Sequence, residues 1–306
     1  MVDRLRSIPG VVLISVAATM WGTDAFFRRP LAQSTAATTI VFGEHVVLVL
    51  VTLPLLLPSL RALWRAGPRY IVAGIFVGAG ASALATILFT QAFVHGDPIT
   101  PVVLQKIQPL VAVAGAAIVL GEQPRPRFAW FLVPALAGVW LIAFPHPTDV
   151  HARGLTPIVE ALAAAGLWGL GTVFGRFLGR KLEFQQVLTV RFAFGLVASA
   201  IALPLVGAKA YAGAHDSVWI TYLALVTGAL ALALYYYGLR RTPATLAALA
   251  ELAFPVSAGL VGIYAFNAHL RWSQWLGVAV TVAVVGLLPL RRREVVRLPA
   301  PAPASA

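Results

Sequence analysis

Met20–Arg29 reads MWGTDAFFRR and Leu167–Arg176 reads LWGLGTVFGR. Trp21, Gly22, Phe27 and Arg29 recur as Trp168, Gly169, Phe174 and Arg176, each 147 residues further on. A second echo, at a shift of 146, sets Pro109 against Pro255. One unit is therefore written twice. Five hydrophobic segments separate a residue from its copy, and an odd number of membrane crossings reverses the polarity of whatever follows. The copies are thus related by a two-fold axis lying in the membrane plane, which places a binding site where the halves meet.

Composition supplies the solvent. Apolar residues make up 59% of the 306 and charged residues 11%, with a mean hydropathy of +0.85. A water-soluble exterior needs more charge than that, so lipid is implied. The net charge of +12 sits in short clusters between apolar runs rather than along one stripe, which excludes a nucleic-acid surface. Cysteine is absent, removing disulfides, thiol nucleophiles and thiolate metal sites. Arg4 and Arg6 before an apolar run imitate a secretory signal, but Trp21–Gly22 has its partner inside the chain, so this segment is expected to stay in the mature protein.

Ten spans of about 20 residues follow, near 9–27, 38–58, 70–94, 98–120, 127–145, 156–175, 184–206, 218–238, 242–266 and 271–290. Unpaired backbone is costly in lipid, so all ten are expected to be helical. The predicted fold is an all-α membrane protein of ten transmembrane helices, built as two inverted five-helix repeats around a central cavity. Residues 1–8 form a cytoplasmic N-terminus, 9–145 the first repeat, 146–155 a connecting loop, 156–290 the second repeat, and 291–306 a basic, then Pro/Ala-rich cytoplasmic tail. Sixteen of the 23 Lys and Arg residues fall on the side that holds both termini and five on the other, Arg28 and Arg29 among the five. Both termini are therefore predicted to be cytoplasmic, in a bacterial inner membrane.

The Trp-Gly pairs, the small-residue-rich third and eighth spans, and a fourth span carrying Pro109 and ending Leu120-Gly121-Glu122 resemble the drug/metabolite transporter superfamily. Within it the chain is similar to EamA-type ten-helix transporters, and within those to the aromatic amino acid exporter (YddG-type) branch. The likeness runs over roughly 9–290. It implies export or exchange of small metabolites through a cavity between inverted halves. One departure stands: Asn267-Ala268 occupies the place of Gly121-Glu122 in the second copy.

A charge at mid-bilayer costs about 2.5–3.5 kcal/mol on insertion scales, so Glu44, Lys106, Arg191 and Glu251 each need a reason. The repeat maps Glu44 on Arg191, and Gln105, beside Lys106, on Glu251. Two arrangements fit. In one, ion pairs Glu44–Lys106 and Arg191–Glu251 fix helix register. In the other, Glu44 or Glu251 loses its partner as the cavity opens and takes up a proton. His45, next to Glu44, reads as a packing residue with a proton relay as the alternative, and Asp24 and Glu160 read as helix-end groups reaching interfacial water.

Thr86, Thr90, Gln91, Gln105 and Gln108 cluster on the third and fourth spans, either lining a wet cavity or joining helices. Trp21 and Trp168 are repeat mates. With Phe89, Tyr235, Tyr236 and Phe254 they are candidates to stack on a flat substrate, although three consecutive tyrosines at 235–237 cannot all face one cavity. The expected substrate residues are Trp21, Thr86, Phe89, Gln91, Gln105, Trp168, Tyr235, Tyr236 and Phe254. The expected function is secondary transport, by alternating access, of aromatic or other apolar amino acids out of the cell. Other drugs or metabolites of the superfamily are the alternative. The expected partners are that solute and the bilayer, with no nucleic acid, cofactor or metal, and an oligomeric state that stays open. No G-x-x-x-x-G-K-[ST] sequence occurs, so a gradient must supply any energy. An intramembrane enzyme is disfavoured because Glu44-His45 lacks the second histidine of a metal motif, and a purely structural protein leaves the repeat without a reason.

Overall fold

The computed structural model describes residues 8–95, 104–124, 126–144, 155–266 and 270–297. Ten apolar helical rods occupy them: α1 (Gly10–Ser34), α2 (Ala37–Ala66), α3 (Pro68–Ala92), α4 (Gln108–Leu120), α5 (Pro126–Ile142), α6 (Leu155–Leu178), α7 (Phe184–Leu205), α8 (Ala214–Leu239), α9 (Ala244–Val261) and α10 (Trp272–Leu288). Seven are long and apolar enough to cross a membrane; α4, α5 and α10 are shorter.

The packing obeys the two-fold relation at every major contact. Helix α1 packs on α8 and α9, and its repeat mate α6 packs on α3 and α4. The pairs α2·α7 and α5·α10 each join two mates across the axis. Single residues repeat the pattern. Gly22 lies against Ser257 on α9, and Gly169 lies against Val111 on α4, the mate of Ser257. A β-carbon at Gly169 falls 2.8 Å from the Gln108 carbonyl oxygen, so the close approach of α6 to α4 requires glycine there. Large side chains such as Ile118 (85% exposed) and Trp130 (79%) point outward on the bundle's rim, where lipid is the solvent that makes their exposure favourable.

Two irregularities are also doubled. Phe76–Leu84 in α3 and Ala224–Leu230 in α8 are π-helical, and they are repeat mates rich in glycine and alanine. Near the other pair of mates, proline breaks a helix. Pro109 and Pro255 lack the N–H that the carbonyl four residues back needs, and the ring clashes with that carbonyl. The residues four back are Gln105 and Glu251. Each carbonyl is taken instead by the third residue on: Gln108 N–H donates to Gln105, and Phe254 N–H donates to Glu251 at 3.0 Å. Gln105–Ile107 is accordingly a 3-10 turn before α4, and α9 is divided into Ala244–Ala250 and Ala253–Phe266.

One sequence expectation is corrected. Helix α1 does not end at Phe27: it bends at residues 22–23 and continues to Ser34, carrying Arg28 into the bundle. Beyond α10, helix continues to Val295, and Val296–Arg297 pairs antiparallel with Gln123–Pro124. The loop at 146–154, the Asn267-Ala268 departure and residues 298–306 lie outside the described residues.

Candidate functional site

Between the halves lies a cavity of about 190 Å³, walled by α1, α2, α3, α4 with its preceding turn, α6, α7, α8 and α9. Both broken helices and the π-helical stretches of α3 and α8 contribute to its wall, through Gln105 and Glu251 and through Ser82 and Thr227. Irregular backbone in a membrane is tolerated where it faces a cavity rather than lipid, and these four stretches face one.

Two aromatic contacts flank the space. Trp21 meets Tyr235 with ring centroids 5.2 Å apart, and Trp168 meets Phe89 at 5.0 Å. The two pairs are repeat images, α1 with α8 and α6 with α3. Trp21 donates its indole N–H to the Thr227 carbonyl at 3.0 Å. Phe254 also reaches the wall.

Three polar clusters complete the lining. In the first, Arg28 bridges two carboxylates: Nε and Nη2 donate to Asp24 at 2.5 and 2.9 Å, and Nη2 donates to Glu44 at 2.7 Å. Arg28 and Glu44 are both buried. In the second, Arg191 donates to Ser82 Oγ (3.2 Å), the Tyr236 hydroxyl (3.0 Å) and the Ala81 carbonyl (3.1 Å). His45 Nδ1 lies 2.7 Å from the Val41 carbonyl, which can only accept, so Nδ1 carries the hydrogen and Nε2 accepts from Ser82 Oγ at 2.9 Å. In the third, Glu251 accepts from Gln108 Nε2 (2.5 Å), the Tyr235 hydroxyl (2.8 Å) and Thr172 Oγ1 (3.1 Å). Gln105 Oε1 is buried in the same wall without a hydrogen-bond partner.

Glu44 pairs with Arg28, because the continued α1 brings a guanidinium inward; the expected Glu44–Lys106 pair rests on a side chain outside those described. Arg191 and Glu251 do not pair, each being held by neutral partners. Asp24 is a cavity group rather than an interfacial one, and Glu160 meets His95 at 2.9 Å. Of the nine residues expected to meet substrate, Trp21, Thr86, Phe89, Gln105, Trp168, Tyr235 and Phe254 line the cavity. Gln91 and Tyr236 do not: one residue of helix turns a side chain by about 100°, so Tyr236 points behind the wall to Arg191. Sequence reading missed Arg28, Ser82, Thr172 and Thr227. Isolated hydroxyls in apolar helices carry no pattern, but Arg28 stands four residues after Asp24, the spacing of a helical ion pair.

The model of the EamA-like transporter family matches the chain twice, at residues 8–144 and 155–289. The chain is 30% identical over 278 residues to the riboflavin transporter ImpX of Fusobacterium nucleatum subsp. nucleatum, covering 86% of this chain and 91% of that protein. It is 24% identical over 294 residues to the uncharacterized transporter YwfM of Bacillus subtilis, covering 90% and 92%. A solved crystal structure at 19% identity superposes with a TM-score of 0.72 over 93% of this chain and 98% of its own, a likeness of fold.

Proposed function

The chain belongs to the EamA-like transporter family, an integral membrane transporter fold, and we propose that it moves a flat aromatic metabolite by alternating access across a bacterial inner membrane. The observation that carries this reading is the image-related pair of aromatic contacts, Trp21–Tyr235 and Trp168–Phe89, on opposite walls of one cavity between the halves. Aromatic faces stack on a ring at low conformational cost. The polar groups between them suit a solute with both signs of hydrogen-bonding group: Arg191 only donates, while Glu251 and the unpartnered Gln105 Oε1 can accept.

Two substrates fit. An aromatic amino acid offers its carboxylate to Arg191 and its ammonium to the acceptors, in keeping with export of aromatic or apolar amino acids. A flavin offers a ring carbonyl and an N–H in the same sense, and the relative named a riboflavin transporter favours it. Counterflow in proteoliposomes containing this protein alone separates them, with labelled tryptophan in one arm and riboflavin in the other. Exchange faster than in empty vesicles supports the arm in which it occurs; no acceleration in either arm overturns the reading.

Both termini are placed in the cytoplasm by the excess of Lys and Arg on that side. The buried position of Arg28 sharpens the bias, since it removes one cation from the opposite side. The chain contains no cysteine, so a single cysteine added at either end reports its side directly. Labelling of the two ends from opposite faces overturns the inverted arrangement.

A further inference from the structure

Glu251, Tyr235 and Thr172 form a closed triangle of oxygens. Tyr235 Oη lies 2.9 Å from Thr172 Oγ1 and 2.8 Å from Glu251 Oε1, and Thr172 Oγ1 lies 3.1 Å from the same Oε1. Each short edge needs one hydrogen to be attractive. The two hydroxyls supply one each. With Glu251 ionised, three edges share two hydrogens and one edge sets lone pair against lone pair. A proton on Oε1 supplies the third hydrogen and lets the hydroxyls point around the ring in sequence. Gln108 Nε2 donates to the other oxygen, Oε2, and that bond survives in either state. The site is thus arranged to hold Glu251 both with and without its proton.

The surroundings distinguish this carboxylate from the other two in the cavity. Asp24 and Glu44 share the Arg28 guanidinium as an ion-pair partner. Glu251 has no cation within ion-pair distance among the described residues, its contacts being an amide and two hydroxyls. Every packed element can be named. Helix α8 brings Tyr235 with Tyr236 behind it, α6 brings Thr172 and Trp168, α4 brings Gln108 after the turn that carries Lys106, whose side chain lies outside those described, and α1 brings Asp24 and Arg28 around the corner from Trp21. Across the cavity stand Arg191 on α7 and Glu44 and His45 on α2. Helices α5 and α10, packed on the far side of α9, carry no ionisable residue between Trp130 and Ile142 or between Trp272 and Leu288. The repeat mate of Glu251 is Gln105, an amide that cannot titrate, so the device exists once. Its backbone sits at the proline break of α9, the kind of joint at which an element can bend.

We propose that Glu251, with Tyr235 and Thr172, is the site at which the transporter takes up a proton from one side of the membrane and releases it to the other, coupling solute movement to a proton gradient. The proposal rests on the transport reading above and adds to it the ion that drives the cycle. A proton binds Oε1 while the cavity faces one compartment and leaves to the other, with no bond to the solute made or broken.

The experiment is gradient-driven accumulation in proteoliposomes with the membrane potential clamped, using riboflavin and tryptophan as probes. One proton per solute sustains a steady-state ratio of about tenfold per pH unit, since a pH unit and a decade of concentration are the same free energy. Accumulation on the alkaline side indicates symport, and on the acidic side antiport. In Glu251→Gln the steady-state ratio falls to about one whatever its rate of exchange, because a ratio does not depend on speed. Wild-type accumulation by Glu251→Gln overturns the proposal. So does wild-type protein that exchanges a probe in counterflow but ignores the pH gradient.

If neither probe exchanges at all, the substrate reading has failed and a measurement without solute decides the proton site. Infrared difference spectra of the purified protein between acidic and alkaline buffer should contain a protonated-carboxyl band that Glu251→Gln lacks and Tyr235→Phe moves to a different pH. A band unchanged in both variants overturns the proposal.

Discussion

The two halves share a backbone and differ in what they place on it. Pro109 and Pro255 open the same gap in α4 and α9, and the π-helical stretches of α3 and α8 widen the same part of the wall. At the gap, however, the first half presents Gln105 and the second Glu251. One helix over, Glu44 faces its mate Arg191. Glu44 is neutralised by Arg28, while Arg191 is held by two hydroxyls and a carbonyl. Symmetry thus fixes where irregular backbone lies, and side-chain chemistry is free to be assigned to one copy. A transporter needs both: images to exchange open ends, and single sites to bind a solute that has no two-fold axis.

The largest test of that contrast is Arg28→Ala. It leaves the buried Glu44 and the half-buried Asp24 without a counter-charge, and removing one partner of a buried pair costs about 3–5 kcal/mol. Thermal unfolding in detergent should fall accordingly, and adding Glu44→Gln to the variant should restore part of the loss. Arg191→Met removes a cation whose partners are neutral and should cost about 1–3 kcal/mol. Equal losses for the two arginines would break the distinction between a charge that holds the fold and a charge kept for the cavity.

A second asymmetry lies at the ends of the bundle. Glu122 is buried and caps the start of α9, accepting from Ala244 N–H (3.0 Å), Thr245 N–H (3.1 Å) and Thr245 Oγ1 (2.9 Å). Arg180 adds a bond to the Leu120 carbonyl at 3.1 Å. Both contacts join one half to the other at the end that we propose faces the cytoplasm. The repeat puts Ala268, which has no acceptor side chain, in the image position of Glu122. The Glu122 cap is therefore not repeated by an acceptor side chain at its image position in the second copy. Glu122→Ala should cost about 1–3 kcal/mol of that closure. Read by impermeant thiol labelling of Thr86→Cys, inside the cavity of an otherwise cysteine-free chain, access from the cytoplasmic side should rise by ~10-fold for each 1.4 kcal/mol. Unchanged labelling from that side would show that the cap stabilises α9 without guarding the cavity.

The sequence carried the architecture further than the chemistry. Trp21 and Trp168, at a constant shift, lead directly to the image-related contacts on α8 and α3, because a doubled motif constrains two places at once. Hydropathy located ten rods, but it ended the first at Phe27 since Arg28 and Arg29 look like a loop. A helix that turns its charges inward is indistinguishable from one that stops, until the partner at Glu44 is seen. Tyr236 was grouped with Tyr235 by adjacency, though the helical period sends it to the far side of the wall. Thr172 and Ser82 were invisible for a different reason: their roles depend on which oxygen stands opposite, and nothing local encodes that. The i−4 relation of each proline to Gln105 and Glu251 was present in the sequence throughout, and it ties the breaks to the polar pair.

The smallest expected effect concerns the two tryptophans. Trp21 commits its indole N–H to the Thr227 carbonyl. Trp168, which lines the cavity from the opposite wall, has no acceptor for its own N–H among the described residues, so that donor is available to a solute. Trp168→Phe keeps an aromatic face but deletes the donor, and should weaken solute binding by about 0.5–1.5 kcal/mol, or roughly two- to tenfold in apparent KM for counterflow. Trp21→Phe deletes a donor already used within the protein. Its cost should fall on thermal stability, with KM changed less than in Trp168→Phe. The reverse order would mean that the solute sits against α1 and α8 rather than α6 and α3, and would move the specific wall of the cavity to the other half.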